Sequence, residues 1–78
     1  TLTLSARETL AALKAWRAEV ARAHNRPAYV IFHDATLRAI AEQQPASLDE
    51  LQGLPGLGQA KLQAYGEEVL RIVKAGRG

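Results

Sequence analysis

Arg26-Pro27-Ala28-Tyr29-Val30-Ile31-Phe32-His33 is the stretch on which the fold turns. Tyr29, Val30, Ile31 and Phe32 favour a strand by propensity. A lone strand has nothing to pair with, and no second strand-like run occurs anywhere in the chain. The run therefore reads as a tight apolar connector, or a single helical turn, that plugs a helical core. Val30 and Phe32 are its expected core members, and Tyr29 leans toward exposure.

Upstream, Ser5 and Glu8 match a capping box and predict the start of a first helix. Leu13, Trp16 and Val20, flanked by Leu10, recur at helical spacing and form an apolar stripe in which Trp16 belongs to the core. The segment is alanine-rich and free of proline and glycine until Asn25 and Pro27, where it should stop. Arg7, Lys14 and Arg22 fall within about an 80° sector away from the stripe. Arg17 lies beside the stripe, its stem covering apolar surface and its head in water.

Downstream, Asp34 is a plausible N-cap for a helix with Leu37, Ile40 and Ala41 facing inward, ended by Pro45. Ser47 and Glu50 form a second capping box, for a short helix carrying Leu48 and Leu51. Leu54-Pro55-Gly56-Leu57-Gly58 follows, and then a last helix with Leu62, Tyr65, Val69, Ile72 and Val73 on one face. Gly66 interrupts it at roughly 1 kcal/mol relative to alanine, which suggests another helix packed closely there. Gly76 and Gly78 should end it. With no internal repeat, the chain predicts an all-α fold, a compact bundle of about five short elements.

Length and composition exclude much else. The 78 residues fit one small domain, 1–78, which buries roughly 60% of its unfolded surface. Apolar residues make up 47% and charged ones 23%, ordinary values that argue against disorder. There is no cysteine, so disulfides, thiolate metal sites and cysteine nucleophiles are ruled out. The longest apolar run, Ala28 to Phe32, is too short to span a bilayer. No signal segment opens the chain, so a cytoplasmic setting is expected. Thr1 in place of Met suggests a piece of a longer protein.

Catalytic constellations are not visible either. His24 and His33 have no i, i+4 partner, so neither a metal nor a cofactor is expected. Asp49-Glu50 and Glu67-Glu68 are better explained by capping, dipole complementation or solvation than by acid–base chemistry. No Walker-type Gly-x-x-x-x-Gly-Lys occurs, so nucleotide hydrolysis within this chain is not expected.

Charge is small in sum, +2, but uneven. Five basic residues face two acids from Thr1 to His33, six acids face Arg38 and Lys61 from Asp34 to Leu70, and the tail adds Arg71, Lys74 and Arg77. Clustered basic charge attracts a polyanion; solvated helix faces are the alternative reading. Gly56 and Gly58 flank one apolar residue between two helices, where a backbone comes close to a ligand. The free N–H groups opening the last helix favour an anion, with Lys61 as a mobile cation beside them. Such a helix-hairpin-helix element holds backbone phosphates without reading sequence. A purely structural turn, with Leu57 in the core, is the other reading.

Together these features resemble a known family. Leu-x-x-Leu-x-x-Trp-Arg from Leu10 to Arg17, then Arg26-Pro-Ala-Tyr-Val-Ile-Phe-His-Asp-Ala-Thr-Leu to Leu37, Pro45, the Leu51 to Gly58 hairpin, Lys61 and Tyr65-Gly66 follow the order of an HRDC domain. This is the accessory module at the C-terminal end of RecQ-type helicases and of RNase D. The resemblance runs from about Leu10 to Val73, and its Pro-x-Tyr-Val-Ile-Phe-x-Asp-Ala-Thr-Leu run is its most specific part.

The resemblance implies a monomeric five-helix bundle that holds nucleic acid without catalysis. The expected partner is single-stranded or junction DNA in a bacterial RecQ-type helicase, or RNA in an RNase D-like nuclease. Tyr29 matches the family's aromatic position after the proline, where an exposed ring could stack on an unpaired base. Arg22 and Arg26 would hold phosphates around it, and Arg17, at the Trp-Arg position, would join them or brace the helix. Three or four phosphate contacts give a salt slope of about −2 to −3 and weak affinity. The acidic middle of the chain suggests a second role. Glu42, Asp49, Glu50, Glu67 and Glu68 would dock the module on a basic part of its parent enzyme, or mimic a polyanion to it.

Overall fold

In a computed structural model of the chain, residues 2–76 are described. Thr3 opens helix α1 (Leu4–Ala23), its hydroxyl accepting the Ala6 N–H at 3.0 Å. The cap is thus not the expected Ser5–Glu8 box. Ser5 lies inside the helix and donates instead to the Gly76 carbonyl at 3.1 Å, which ties the start of α1 to the end of the last helix. Asn25 ends α1 by taking a left-handed conformation, φ 55°. The amides of Asn25 and Arg26 then return to the carbonyls of Arg22 and Ala21 at 3.1 and 2.9 Å, a Schellman-type closure.

That closure delivers Pro27 to the head of α2 (Ala28–Ile31), a single helical turn, so the decisive stretch is indeed no strand. The helical phase also changes which residues point inward. Ile31 and Phe32 are buried, whereas Val30, expected in the core, is 38% exposed. Within the turn Ile31 takes the inward position, and the extended backbone at Phe32 sends the next side chain into the core as well.

Helix α3 (Asp34–Gln43) starts from His33, so Asp34 is its first residue and not its cap. Leu37, Ile40 and Ala41 are fully buried, and Gln44, at φ 48°, leads into Pro45. Helix α4 (Leu48–Gln52) keeps its capping box: Ser47 Oγ accepts the Glu50 N–H at 3.2 Å, and Glu50 Oε1 accepts the Ala46 N–H at 2.9 Å. Helix α5 (Gln59–Gly76) follows Gly58, whose carbonyl accepts the Leu62 N–H at 3.0 Å. Gly76 is still helical and packs on Thr9; Arg77 and Gly78 lie outside the described residues.

α1 packs against α2, α3 and α5, and α4 packs against α5. Their shared core centres on Leu13, Phe32, Leu37, Ile40, Leu51, Val69 and Val73, all fully buried. Gly66 does admit a neighbouring helix, since a Cβ there would come within 2.8 Å of Leu48 Cδ2 on α4. Leu48 itself remains 40% exposed. Among the described residues there is no strand, and no helix is long and apolar enough to cross a membrane.

Candidate nucleic-acid interface

Tyr29 is the exposed ring of the α1–α3 connection. The single-turn geometry that buries Ile31 turns Tyr29 outward, 60% exposed, and His33 stacks on it with centroids 6.1 Å apart and planes 26° from parallel. Sequence reasoning singled out Tyr29 and missed His33. No sequence signal pointed to His33: α2 ends at Ile31, and the extended Phe32 and His33 bring the imidazole back beside Tyr29.

Arg17 behaves differently from the other arginines. Its head was expected in water, but the side chain is only 12% exposed. Nη1 donates to the Phe32 carbonyl at 2.8 Å and Nη2 pairs with Asp34 Oδ1 at 2.7 Å. Arg17 therefore braces the junction of α2 and α3. The hydrogen bond and charge of Arg17 hold the Asp34 carboxyl below its ordinary 3.8, with Lys14 and His33 adding to the effect.

Arg22 stands exposed in the last turn of α1, where a cation also complements the helix dipole. Arg26 and Lys61 are brought together in one groove of 300 Å³, floored by Val30, Ile31 and Ala64 and walled by Tyr65. Lys61 is half-buried and less mobile than expected: its Nζ sits 5.4 Å from the centroid of the Phe32 ring. Arg22, Gly56 and Gly58 are not among the residues lining that groove.

The two hairpin glycines divide their roles. Gly56 has φ 84°, and a Cβ there would run into the Thr36 side chain, so the close approach its missing side chain allows is to α3. Leu57 is buried at 7% exposure. Gly58 has ordinary backbone geometry with open space beside it, directly before the free amides of α5.

The acidic residues are exposed on three helices: Glu42 on α3, Asp49 and Glu50 on α4, and Glu67 and Glu68 on α5. Two already have internal work. Glu50 caps α4 through Ala46, and Glu68 Oε2 accepts the Trp16 indole N–H at 2.8 Å. Trp16 is accordingly half-buried, packed on Phe32 and Tyr65 with its nitrogen at the surface. Among the described residues, no group of three or more His, Asp or Glu is placed to hold a metal ion.

The sequence pattern of the HRDC domain family matches residues 6–73. The chain belongs to this family. It is 48% identical over 67 residues to the ATP-dependent DNA helicase UvrD2 of Mycobacterium tuberculosis, a match covering 86% of this chain and 10% of that protein. The ATP-dependent DNA helicase RecQ of Pasteurella multocida is 31% identical over 68 residues, covering 87% of this chain and 11% of the relative. The chain thus spans about a tenth of the length of these curated relatives. Among solved structures, HRDC domain 3 of D. radiodurans RecQ superimposes with a TM-score of 0.86 at 37% identity, over 90% of this chain and 92% of the other. The five-helix all-α architecture is therefore that of HRDC domains found in DNA helicases.

Proposed function

We propose that this HRDC domain is a non-catalytic accessory module of a larger ATP-dependent DNA helicase, which it helps to hold on single-stranded or junction DNA. The observation that carries this reading is Tyr29, an exposed ring stacked on His33, on the same helical turn whose Val30 lines the groove of Arg26 and Lys61. Stacking on one unpaired base is worth about 1–3 kcal/mol and tolerates any base. Arg22, Arg26 and Lys61 contribute phosphate contacts, and the amides after Gly58 offer another. Arg17, committed internally, is left out of this set, and Gly56 supports the hairpin without touching the strand.

With so few phosphate contacts, binding is weak at physiological salt, as befits a module tethered to a stronger binder. The relatives above are named DNA helicases, which favours DNA over the RNA of an RNase D-like parent. Fluorescence anisotropy of a labelled single strand tests the reading. Tyr29→Ala and Arg26→Ala weaken binding, and affinity independent of salt refutes it.

A second reading is favoured by Glu42, Asp49 and Glu67, which are exposed and have no ion-pair partner among the described residues. On this reading the acidic side docks on a basic surface of the parent helicase. Glu67→Lys then alters DNA affinity or unwinding of the full-length enzyme while leaving the isolated domain's weak binding nearly unchanged.

A further inference from the structure

A second groove, between the later half of α1 and the middle of α5, has a different chemistry. Each helix gives it an aromatic ring and, three residues further on, a glutamate: Trp16 and Glu19 from α1, Tyr65 and Glu68 from α5. Residues at that spacing share a helix face, so both ring–carboxylate pairs look into the same space of 440 Å³. The rings meet edge to face, 5.6 Å between centroids at 79°. The indole N–H fixes Glu68 beside them through its Oε2, leaving Oε1 for another donor. Neither glutamate has an ion-pair partner among the described residues, and His24 and Tyr65 are the other titratable side chains lining the groove.

We propose that this groove receives an arginine side chain presented by a polypeptide partner. A cation is attracted to the π face of tryptophan or tyrosine, and a carboxylate on each side supplies the counter-charge. Guanidinium suits the site better than ammonium: it is planar, stacks on a ring and donates to two carboxylates at once. Nucleic acid is disfavoured, because the same carboxylates repel phosphates. A purely apolar segment would desolvate both carboxylates without supplying a counter-charge. The groove excludes Tyr29 and the Gly58 hairpin but shares His24, Ala64 and Tyr65 with the groove of Arg26 and Lys61, so the two sites are neighbours told apart by Trp16, Glu19 and Glu68.

Trp16 is the one tryptophan in the chain, so its indole N–H gives a single, assignable NMR resonance at the site. The experiment titrates the ¹⁵N-labelled domain with a blocked Gly-Arg-Gly-Arg-Gly peptide, and in parallel with the same peptide carrying citrulline, the neutral isostere. The arginine peptide shifts the indole resonance saturably and the citrulline peptide does not. Glu19→Gln, an exposed surface change that leaves the indole bond intact, weakens the arginine titration by about three-fold or more. The proposal is overturned if the indole resonance ignores the arginine peptide or responds equally to citrulline. It also falls if Glu19→Gln binds as well as the parent. A shift that follows protein concentration without any peptide would instead assign the groove to a second copy of the chain, and would overturn it too.

Discussion

Arg17 reaches the Phe32 carbonyl with one guanidinium nitrogen, at 2.8 Å, and the Asp34 carboxylate with another, at 2.7 Å. One side chain of α1 thereby fastens the end of α2 to the start of α3, and with it the turn that carries Tyr29 outward. Removing it leaves the Phe32 carbonyl and a carboxylate without their donor. Arg17→Ala should cost about 1–3 kcal/mol, a fall in Tm of roughly 4–8 °C per kcal/mol in a domain of this size. Arg17→Lys recovers only part, since an ammonium cannot span both acceptors in that fork. Thermal melts followed by circular dichroism check both.

The same pair sets an acid dependence. Asp34 has a lower pKa folded than unfolded, chiefly through the Arg17 hydrogen bond and charge. Its contribution is therefore complete above its unfolded value near pH 4 and disappears as pH falls through the lower folded value. Asp34→Asn should be less stable than the parent at pH 7, with the two converging toward about pH 2. Because the carboxylate is largely exposed, the difference is small and needs urea titrations at several pH values.

Gly56 and Gly58 should respond oppositely to alanine. At Gly56 the new Cβ meets Thr36 and the backbone is left-handed, φ 84°, so Gly56→Ala should destabilise by about 2 kcal/mol or more. At Gly58 the space is open and φ ordinary, so Gly58→Ala should change stability by less than about 1 kcal/mol. A methyl group at the mouth of the α5 amides should nevertheless reduce affinity for single-stranded DNA. Urea unfolding and anisotropy separate the two effects.

Tyr29→Ala removes an exposed ring and should leave stability within about 0.5 kcal/mol of the parent. It should weaken binding of a single strand by five-fold or more, an effect of about 1 kcal/mol at the low end of base stacking. Tyr29→Phe should bind nearly as well, because stacking needs the ring and not the hydroxyl.

Much of this fold is written locally. The Ser47–Glu50 cap, the stop at Asn25 and Pro27, the inward face of Leu37, Ile40 and Ala41, and the buried Val69 and Val73 all follow from neighbours within a few residues. What could not be read depends on contacts between distant segments. Thr3 displaced Ser5 as the cap because Ser5 is recruited by Gly76, at the far end of the chain. Val30, expected inside, lies 38% exposed because a four-residue run does not reveal its own phase. Arg17 resembles any helical surface arginine until Phe32 and Asp34 fold back on it. Within the candidate interface, Tyr29 and Lys61 were legible from residue type and position. His33 was not, nor the ring over which Lys61 sits, because both follow from how α2 is turned.

The central claim, that Tyr29 and the adjoining basic groove form a platform for a single DNA strand, is tested most directly by one titration. The ¹⁵N-labelled domain is mixed with a short single-stranded oligonucleotide at two salt concentrations, and amide shifts are mapped. The account predicts shifts at Arg26, Tyr29, His33 and from Gly58 to Lys61, with affinity falling on a log–log slope of about −2 to −3 as salt rises. Shifts confined to Glu42, Asp49 and Glu67, or binding indifferent to salt, would contradict it.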